Sequence, residues 1–364
     1  MRKRLPACIG VGLVILAAAC QAASAQQKGA FAGRTLRAAT FGGAWQQNRN
    51  RLVAQPLEKA TGAKVEWVVG NPVDHLAKMI AARGGDPPFD VAELGSIETV
   101  QARELGFLET IDRNQVPNAG KVLPELLPPD AVPYGATEFV NAYLPSKFKE
   151  LGLAPPSRLE DLFHPKLANR IALPFIGGSI MGPRFLVSLA MEGGGGIQNV
   201  TPALDRLKAA RVSYYYRATP ELEMRMLSGE VWAAYWVISR PFTHKAAGKD
   251  LDYASVGPGA KKATNAVSFV VIAKGSKNKD LAHAYLNHIL SLDSQVGMAE
   301  WGGVRPVTDD GLKKVLSSGS PHLRRVAEVP WKDVFTMDFP PDVDTAAKNI
   351  GKWVDQFNRE VGGR

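Results

Sequence analysis

The residues best suited to holding a ligand are glycines and aromatic residues that follow the first predicted strand. The segment Phe41-Gly42-Gly43-Ala44-Trp45 comes directly before a predicted helix. Glycine lets a ligand approach the backbone closely, and the amides at the start of a helix attract anions. Phe41 or Trp45 would supply an apolar wall. The segment therefore predicts one side of a ligand cleft, with a plain glycine turn as the alternative.

Small polar residues follow two further predicted strands. Ser96 comes after the strand Phe89–Leu94, where it would either face a ligand or cap the next helix. Gly178 and Ser179 end a later strand and precede a helix. Their amides and hydroxyl suit an anionic head group.

Two arginines also lie just beyond predicted strands. Arg217 follows the strand Val212–Tyr216, and Arg240 follows the strand Val231–Val237. Either side chain could hold a carboxylate or phosphonate through two parallel hydrogen bonds. For Arg217, a solvated surface position is an equally good interpretation. Glu138 could reach the same cleft, although a solvent-facing carboxylate is the commoner outcome.

The sequence offers little for covalent or metal chemistry. Cys8 and Cys20 are the two cysteines, and both fall within a predicted signal peptide, so the mature chain would have no thiol. His283 and His288 are five residues apart, which is a poor spacing for metal ligands on a helix. Without a nucleophile motif or a convincing acid–base pair, we predict no enzyme, no cofactor and no metal site.

The first 25 residues are typical of a secretory signal peptide. Three basic residues at 2–4 precede an apolar stretch over 9–19 and an A-x-A cleavage site at 23–25. We therefore expect a periplasmic protein, with a lipid anchor at Cys20 as the alternative. Loss of the three basic residues would lower the formal charge from +9 to +6. The remaining basic residues are spread along the chain, which argues against a nucleic-acid partner.

Alternating strands and helices would position the candidate residues. Leu36–Val69 reads as strand, glycine turn, amphipathic helix and strand, with Arg49 on the outer, charged face of the helix. A helix over Val73–Arg83 and the strand Phe89–Leu94 continue the pattern. This order predicts parallel strands whose carboxyl ends form a ligand-facing edge. The length of 364 residues favours two lobes.

The second half of the chain continues in the same style. A second α/β unit begins near Pro155, and the apolar run Ala266–Ile272 predicts a buried strand. Leu281–Trp301 predicts one long helix that ends at a glycine pair. The rest of the chain reads as helical pieces anchored by Trp331 and Trp353.

The order of several segments resembles the periplasmic substrate-binding proteins of ABC importers. The likeness is to the type II branch that contains the spermidine/putrescine-binding proteins, the family 1 extracellular solute-binding proteins. It covers essentially the whole mature chain. The segments that carry it include PLEKATG at 56–62, FDV at 89–91, LEDLFHP at 159–165, SGEV at 228–231 and GVRP at 303–306.

The resemblance implies an α/β protein of the periplasmic binding protein type II fold, in which two α/β lobes are joined by two crossover strands. Lobe 1 would comprise residues 34–136 and 266–310, lobe 2 would comprise 137–265, and helices over 311–364 would pack across both. Such a protein binds a small-molecule solute by lobe closure and delivers it to an inner-membrane ABC permease without covalent chemistry. We expect a monomer. An enzyme on the same bilobal fold is a remote alternative.

Differences from the polyamine-binding relatives indicate the charge of the ligand. The resemblance places Tyr235 and Trp236 at a strand end that lines the cleft. It places Asn265 where the relatives carry an aspartate, and Pro174–Ser179 where they carry carboxylates. Burying an ammonium group without an opposing carboxylate is costly. We therefore expect a small organic anion or zwitterion with a carboxylate-type head, and a polyamine or other organic cation, held by Glu138 and aromatic residues, as the alternative.

Overall fold

The computed structural model describes residues 29–83, 85–258, 263–320 and 342–362, together with residues 323, 324, 327, 330, 333, 335, 337 and 338. The predicted signal peptide over 1–25, with Cys8 and Cys20, lies outside the described residues. The predicted anchor Trp331 lies outside them as well.

A mixed nine-stranded sheet runs through the described part of the chain. Its strands are β1 (Thr35–Thr40), β2 (Lys64–Val69), β3 (Val91–Gly95), β4 (Ala131–Tyr143), β5 (Ile171–Pro174), β6 (Tyr214–Tyr216), β7 (Ala233–Val237), β8 (Asp252–Ser255) and β9 (Thr264–Ile272). The order is β2-β1-β3-β9-β4-β7-β5-β6, and β8 also pairs with β4. Strands β1, β2 and β3 are parallel, as are β5, β6 and β7. The long strands β4 and β9 run antiparallel to their neighbours between these two sets.

Helices connect the strands in the alternating pattern that the sequence predicts. They are α1 (Ala44–Arg49), α2 (Gln55–Thr61), α3 (Pro72–Ala81), α4 (Ser96–Glu104), α5 (Pro145–Leu151), α6 (Met181–Glu192), α7 (Thr201–Ala209), α8 (Thr219–Leu227), α9 (Ser239–Ala246), α10 (Lys279–Ile289), α11 (Leu292–Gly302), α12 (Asp309–Leu316) and α13 (Asp342–Glu360). A π-helical turn over Asn50–Ala54 joins α1 to α2. Among the described residues, no helix has both the length and the apolar composition that crossing a membrane requires.

The first strand–helix–strand unit follows the local signals of its sequence. Gly62 ends α2 with a φ of 74°, a left-handed conformation that glycine adopts without a steric penalty. The hydroxyl of Thr61 donates to the carbonyl of Leu57 at 2.7 Å and so satisfies one of the last carbonyls of the helix. The chain then enters β2 at Lys64.

Buried hydrophobic side chains form two large clusters, one on each side of the sheet's centre. The first contains β1, β3, most of β9 and the start of β4 as far as Ala136. The second contains β4 from Phe139 onward, β5, β7, α6 and α13. Because β4 and β9 pass from one cluster to the other, we propose that the clusters are the cores of two lobes hinged at these strands.

Two features of the structure differ from the sequence expectation. The prediction of a single helix over Leu281–Trp301 is wrong, because the chain forms two helices, α10 and α11, with a break between them. At the break, the Ser291 hydroxyl accepts a hydrogen bond from the amide of Ser294 at 3.3 Å, which is a helix N-cap. The strand β8 and the helices α5 and α9 are only four to eight residues long, and sequence reasoning missed them.

His75, in α3, is a buried base with an apolar neighbour. Its side chain is 0% exposed, and its ring packs edge to face with Phe89 at 5.7 Å between centroids. Burial lowers the pKa of His75 from 6.5 to about 4, because the imidazolium form would lose its hydration. The folded chain therefore holds this side chain neutral.

We expect His75 to make the fold sensitive to acid. The unfolded chain takes up a proton near pH 6.5 and the folded chain only near pH 4, so stability falls as the pH drops through this window, by about 3 kcal/mol in all. Urea unfolding of the wild type and of His75→Gln at both ends of the window measures the effect. The variant should lose much less stability on acidification. Equal losses in the two proteins would contradict this assignment.

Candidate functional site

A cavity of about 310 Å³ lies where strand ends and helix starts of the two clusters meet. Its walls are mainly apolar, with a few hydroxyl, amide and guanidinium groups. The predicted ligand residues on its surface are Phe41, Gly42, Gly43, Trp45 and Arg240, and Arg217 joins them. Residues on its surface that sequence reasoning missed include Asn71, Tyr134, Thr137, Phe139, Met181, Ser239, Ser268 and Trp301.

Aromatic rings centred on Trp45 form the wall on the side of the first cluster. The Trp45 ring meets Phe41, Tyr134 and Trp301 edge to face, with centroids 5.7, 5.9 and 5.8 Å away. This geometry is the one that aromatic quadrupoles favour. The wall therefore consists of rings that hold one another in place.

A buried ion pair stands behind this wall. The indole Nε1 of Trp45 donates to Glu93 Oε2 at 2.8 Å, and Arg49 Nε donates to Glu93 Oε1 at 2.8 Å. The guanidinium of Arg49 also lies 4.2 Å from the centre of the Tyr134 ring, close enough for a cation–π contact. The side chains of Arg49 and Glu93 are 0% and 2% exposed. The expectation that Arg49 lies on the outer face of its helix is therefore wrong.

Arginines border the cavity on the side of the second cluster. Arg217 directly follows β6, and its guanidinium lies 3.5 Å from the centre of the Phe175 ring. Arg240, in α9, has Nη1 3.7 Å from Glu223 Oε2. The other oxygen of Glu223 lies 2.6 Å from His244 Nε2. Glu223 is thus shared between two basic groups.

The glycine turn after β1 contributes backbone to the cavity. Gly43 has a φ of 67°, which disfavours any residue with a Cβ. A Cβ on Gly42 would stand 2.8 Å from Val69 Cγ1. Ala44 begins α1 without lining the cavity. The turn therefore needs glycine at Gly43 for its conformation and at Gly42 for close packing against Val69.

Strand alternation explains why Asn265 does not line the cavity. In the antiparallel pairing of β4 with β9, Asn265 lies opposite Glu138, whereas Thr137 lies opposite Ala266. Thr137 and Phe139 line the cavity. Because successive side chains point to opposite faces of a sheet, Glu138 and Asn265 share the other face. Both are nearly completely buried.

A register shift between Pro133 and Gly135 brings one more ring to the cavity. Tyr134 is skipped in the pairing of β4 with β9. An irregularity of this kind turns a side chain away from the strict alternation of the strand. Tyr134 consequently lines the cavity beside Thr137 and Phe139.

Tyr235 and Trp236 are both fully buried, and neither lines the cavity. Val237, the last residue of β7, does. Tyr235 shares its face with Val237 but lies deeper, against the rings of Phe139 at 5.8 Å and Phe185 at 5.1 Å. Trp236 is on the opposite face because it is one residue removed.

Ser96 belongs to a buried polar cluster outside the cavity. Its hydroxyl donates to Asp338 Oδ1 at 2.9 Å and accepts from Arg184 Nη2 at 2.8 Å. Arg184 and Asp338 form an ion pair in which both side chains are 0% exposed. Burial raises the pKa of the neighbouring Glu98, whose charged form is disfavoured away from water.

Gly178 and Ser179 lie beside the cavity without forming its surface. The Ser179 hydroxyl accepts a hydrogen bond from the Met181 amide at 3.3 Å at the start of α6. A Cβ on Gly178 would be 3.5 Å from the Cα of Arg217. Gly178 and Ser179 therefore adjoin Arg217 and Met181, which line the cavity.

The model of the bacterial extracellular solute-binding protein family matches residues 53–323. The chain belongs to this family. A search of curated proteins found no match. Family members bind a small-molecule solute and work with the membrane permease of an ABC transporter. They are transport proteins rather than enzymes.

Solved structures of solute-binding proteins share this fold. An extracellular solute-binding protein from Bordetella parapertussis is 21% identical, with a TM-score of 0.67 over 90% of this chain and 99% of that one. The binding protein AgtB of A. tumefaciens R10, in complex with agropinic acid, is 18% identical, with a TM-score of 0.70 over 91% and 99%. A spermidine/putrescine ABC transporter protein from Listeria monocytogenes is 18% identical, with a TM-score of 0.66 over 89% and 100%. These likenesses confirm the predicted fold class.

Within the described part of this solute-binding protein, no group of histidine, cysteine, aspartate and glutamate side chains is arranged to hold a metal ion.

Proposed function

We propose that this solute-binding protein captures a small organic anion with a carboxylate-type head and delivers it to its permease. The observation that carries the proposal is the charge of the cavity. Arg217 and Arg240 border it, and no described residue on its surface is an aspartate or glutamate. A buried carboxylate is stabilised by guanidinium groups, which can donate two parallel hydrogen bonds to it.

Two carboxylates near the cavity, Glu93 and Glu223, already have partners. Both oxygens of Glu93 accept hydrogen bonds, from Arg49 and from Trp45. Glu223 contacts Arg240 and His244. A ligand ammonium group would have to compete with these contacts or be buried without a counter-ion, which is costly. This favours an anion over a polyamine.

The remaining polar groups of the cavity would orient the head. Gly42 and Gly43 offer backbone amides, and Thr137, Ser239 and Ser268 offer hydroxyls. Ser96, Tyr235, Trp236 and Asn265 would support the cavity from behind, as Ala44, Gly178 and Ser179 would from beside it.

The related structures alone do not fix the charge of the ligand. AgtB is in complex with agropinic acid, whereas the Listeria protein is described as spermidine/putrescine-type. The proposal for an anion therefore rests on the side chains of this cavity. A polyamine remains the competing ligand class.

The setting of the proposed function follows from the family and the sequence. We propose export through a cleaved signal peptide and action as a monomer in the periplasm. Closure of the two lobes about β4 and β9 would bury the solute between Arg217 and Arg240 on one side and the Trp45 rings on the other.

A thermal-shift screen of carboxylates, phosphonates, amino acids and polyamines tests the ligand class. A solute that binds only the folded state raises its stability by about 2.7 kcal/mol at a hundredfold excess over Kd. We expect carboxylates to raise the melting temperature and spermidine to leave it unchanged. A shift with spermidine or putrescine and with no anion would contradict the proposal.

A further inference from the structure

The two sides of the cavity differ in their chemistry, and this difference bears on the body of the solute as well as on its head group. Guanidinium groups come from the segments after β6 and β7, whereas Phe41, Trp45 and Trp301 come from the opposite cluster. A solute that spans the cavity thus meets positive charge at one end and aromatic rings at the other. Resting on the proposed function, we propose that the solute is an aromatic carboxylate without an ammonium group.

The aromatic wall is built before any ligand arrives. Trp45 is 8% exposed, so the ring presents only part of its surface to the cavity. Its indole nitrogen is held by Glu93 and its faces and edges by three other rings. A rigid wall loses little side-chain entropy on binding. Such a wall favours a ligand that is itself flat and apolar, because rings pair edge to face or in offset stacks.

The same wall gives no place for an amino group. The carboxylate behind it, Glu93, has both oxygens engaged by Trp45 and Arg49. Glu138 lies on the opposite face of β4 from the cavity-lining Thr137 and Phe139. Glu98 is buried, with its carboxylate close to Gly95, and it does not line the cavity. An α-ammonium group on the solute would therefore lose its hydration, and at the guanidinium end it would have to compete with Arg240 and His244 for Glu223.

Titration calorimetry with five probes separates the contributions that the head group, the ring and an added ammonium group make to the affinity. Phenylacetate has the proposed carboxylate and aromatic ring, whereas acetate lacks the ring. Phenylglycine adds an ammonium group, and cyclohexylacetate replaces the flat ring by a puckered one. Spermidine represents the polyamines. We expect phenylacetate to bind about 30-fold or more tighter than acetate, because a phenyl group is removed from water. It should bind about tenfold or more tighter than phenylglycine and about fivefold tighter than cyclohexylacetate.

A variant of the wall provides the second test. Trp301→Leu should weaken phenylacetate about 5- to 10-fold, because it replaces an edge-to-face aromatic partner by an aliphatic group, and it should weaken acetate less. Trp232→Leu is the matched control, because Trp232 is a half-buried tryptophan that contacts Arg170 rather than the cavity. We expect this control to bind phenylacetate like the wild type.

The outcomes distinguish this inference from the proposed function. If phenylacetate binds no tighter than acetate, or if phenylglycine binds as tightly as phenylacetate, the solute is not an aromatic carboxylate without an ammonium group. Either result would leave the proposed anionic head group in place. Equal weakening of phenylacetate by Trp301→Leu and Trp232→Leu would also overturn the aromatic carboxylate. Binding of spermidine with no binding of any acid would overturn both proposals.

Discussion

Replacing Glu93 by glutamine is expected to lower the free energy of unfolding by about 3–5 kcal/mol, because it leaves a buried arginine without its counter-ion. Arg49 has a side chain that is 0% exposed, and its Nε donates to Glu93. Glutamine has the same shape, but Arg49 and Trp45 donate to different oxygens of Glu93, so the NH2 group of glutamine would face one of the two donors. Urea unfolding measures the loss.

Glu230→Gln provides the matched control for this prediction. Glu230 pairs with Arg225, but the two side chains are 52% and 32% exposed. An exposed pair of this kind contributes at most about 1 kcal/mol. A second variant, Arg49→Met with Glu93→Met, removes both charges and should recover much of the lost stability. A loss for Glu93→Gln no larger than that of Glu230→Gln would contradict the account of the buried pair.

Replacing Arg217 and Arg240 together by alanine is expected to weaken the binding of phenylacetate about 100-fold or more. Loss of one partner from a desolvated charge pair costs about 2 kcal/mol or more, a factor of about 30, and this figure applies to Arg240, since Arg217 is exposed in the structure. Arg240 is the more buried of the two and should account for the larger share. Calorimetric titration of the single and double variants measures both contributions.

Two further variants, Arg240→Lys and Arg206→Ala, make this test specific. Arg240→Lys keeps the charge but loses the planar pair of donors, so its affinity should fall between those of the wild type and Arg240→Ala. Arg206→Ala removes an arginine that packs on Phe163 and pairs with Glu160 away from the cavity. It should leave the affinity unchanged. Equal affinities in the wild type and the double variant would remove both arginines from the site.

Local signals explain why much of the fold could be predicted from the sequence. The alternation of strands and helices is visible in the periodicity of apolar residues, and Gly62 marks the end of α2 through its left-handed conformation. The prediction overlooks the break between α10 and α11 because no glycine or proline marks it. Ser291 is the signal in the sequence that could have located it.

Tertiary contacts explain why the cavity could be predicted only in part. Arg49 reads as an outer charge of an amphipathic helix, but its partner Glu93 is 44 residues away, on another strand. The faces of β4 and β9 depend on a register shift at Tyr134, and its flanking residues Pro133 and Gly135 are the signal in the sequence that could have located it. That shift and the pairing of the strands decide that Thr137 and Ser268 face the cavity and that Asn265 does not. The glycine turn and Arg240, in contrast, follow strand ends and could be proposed from their positions alone.

The most direct test of the anionic site is a calorimetric comparison of phenylacetate with phenylacetamide. The two probes have nearly the same size and shape, and they differ in the charge of the head group. If Arg217 and Arg240 recognise a carboxylate, phenylacetate should bind about 30-fold or more tighter than the amide. Binding of phenylacetamide as tight as that of phenylacetate would contradict the account.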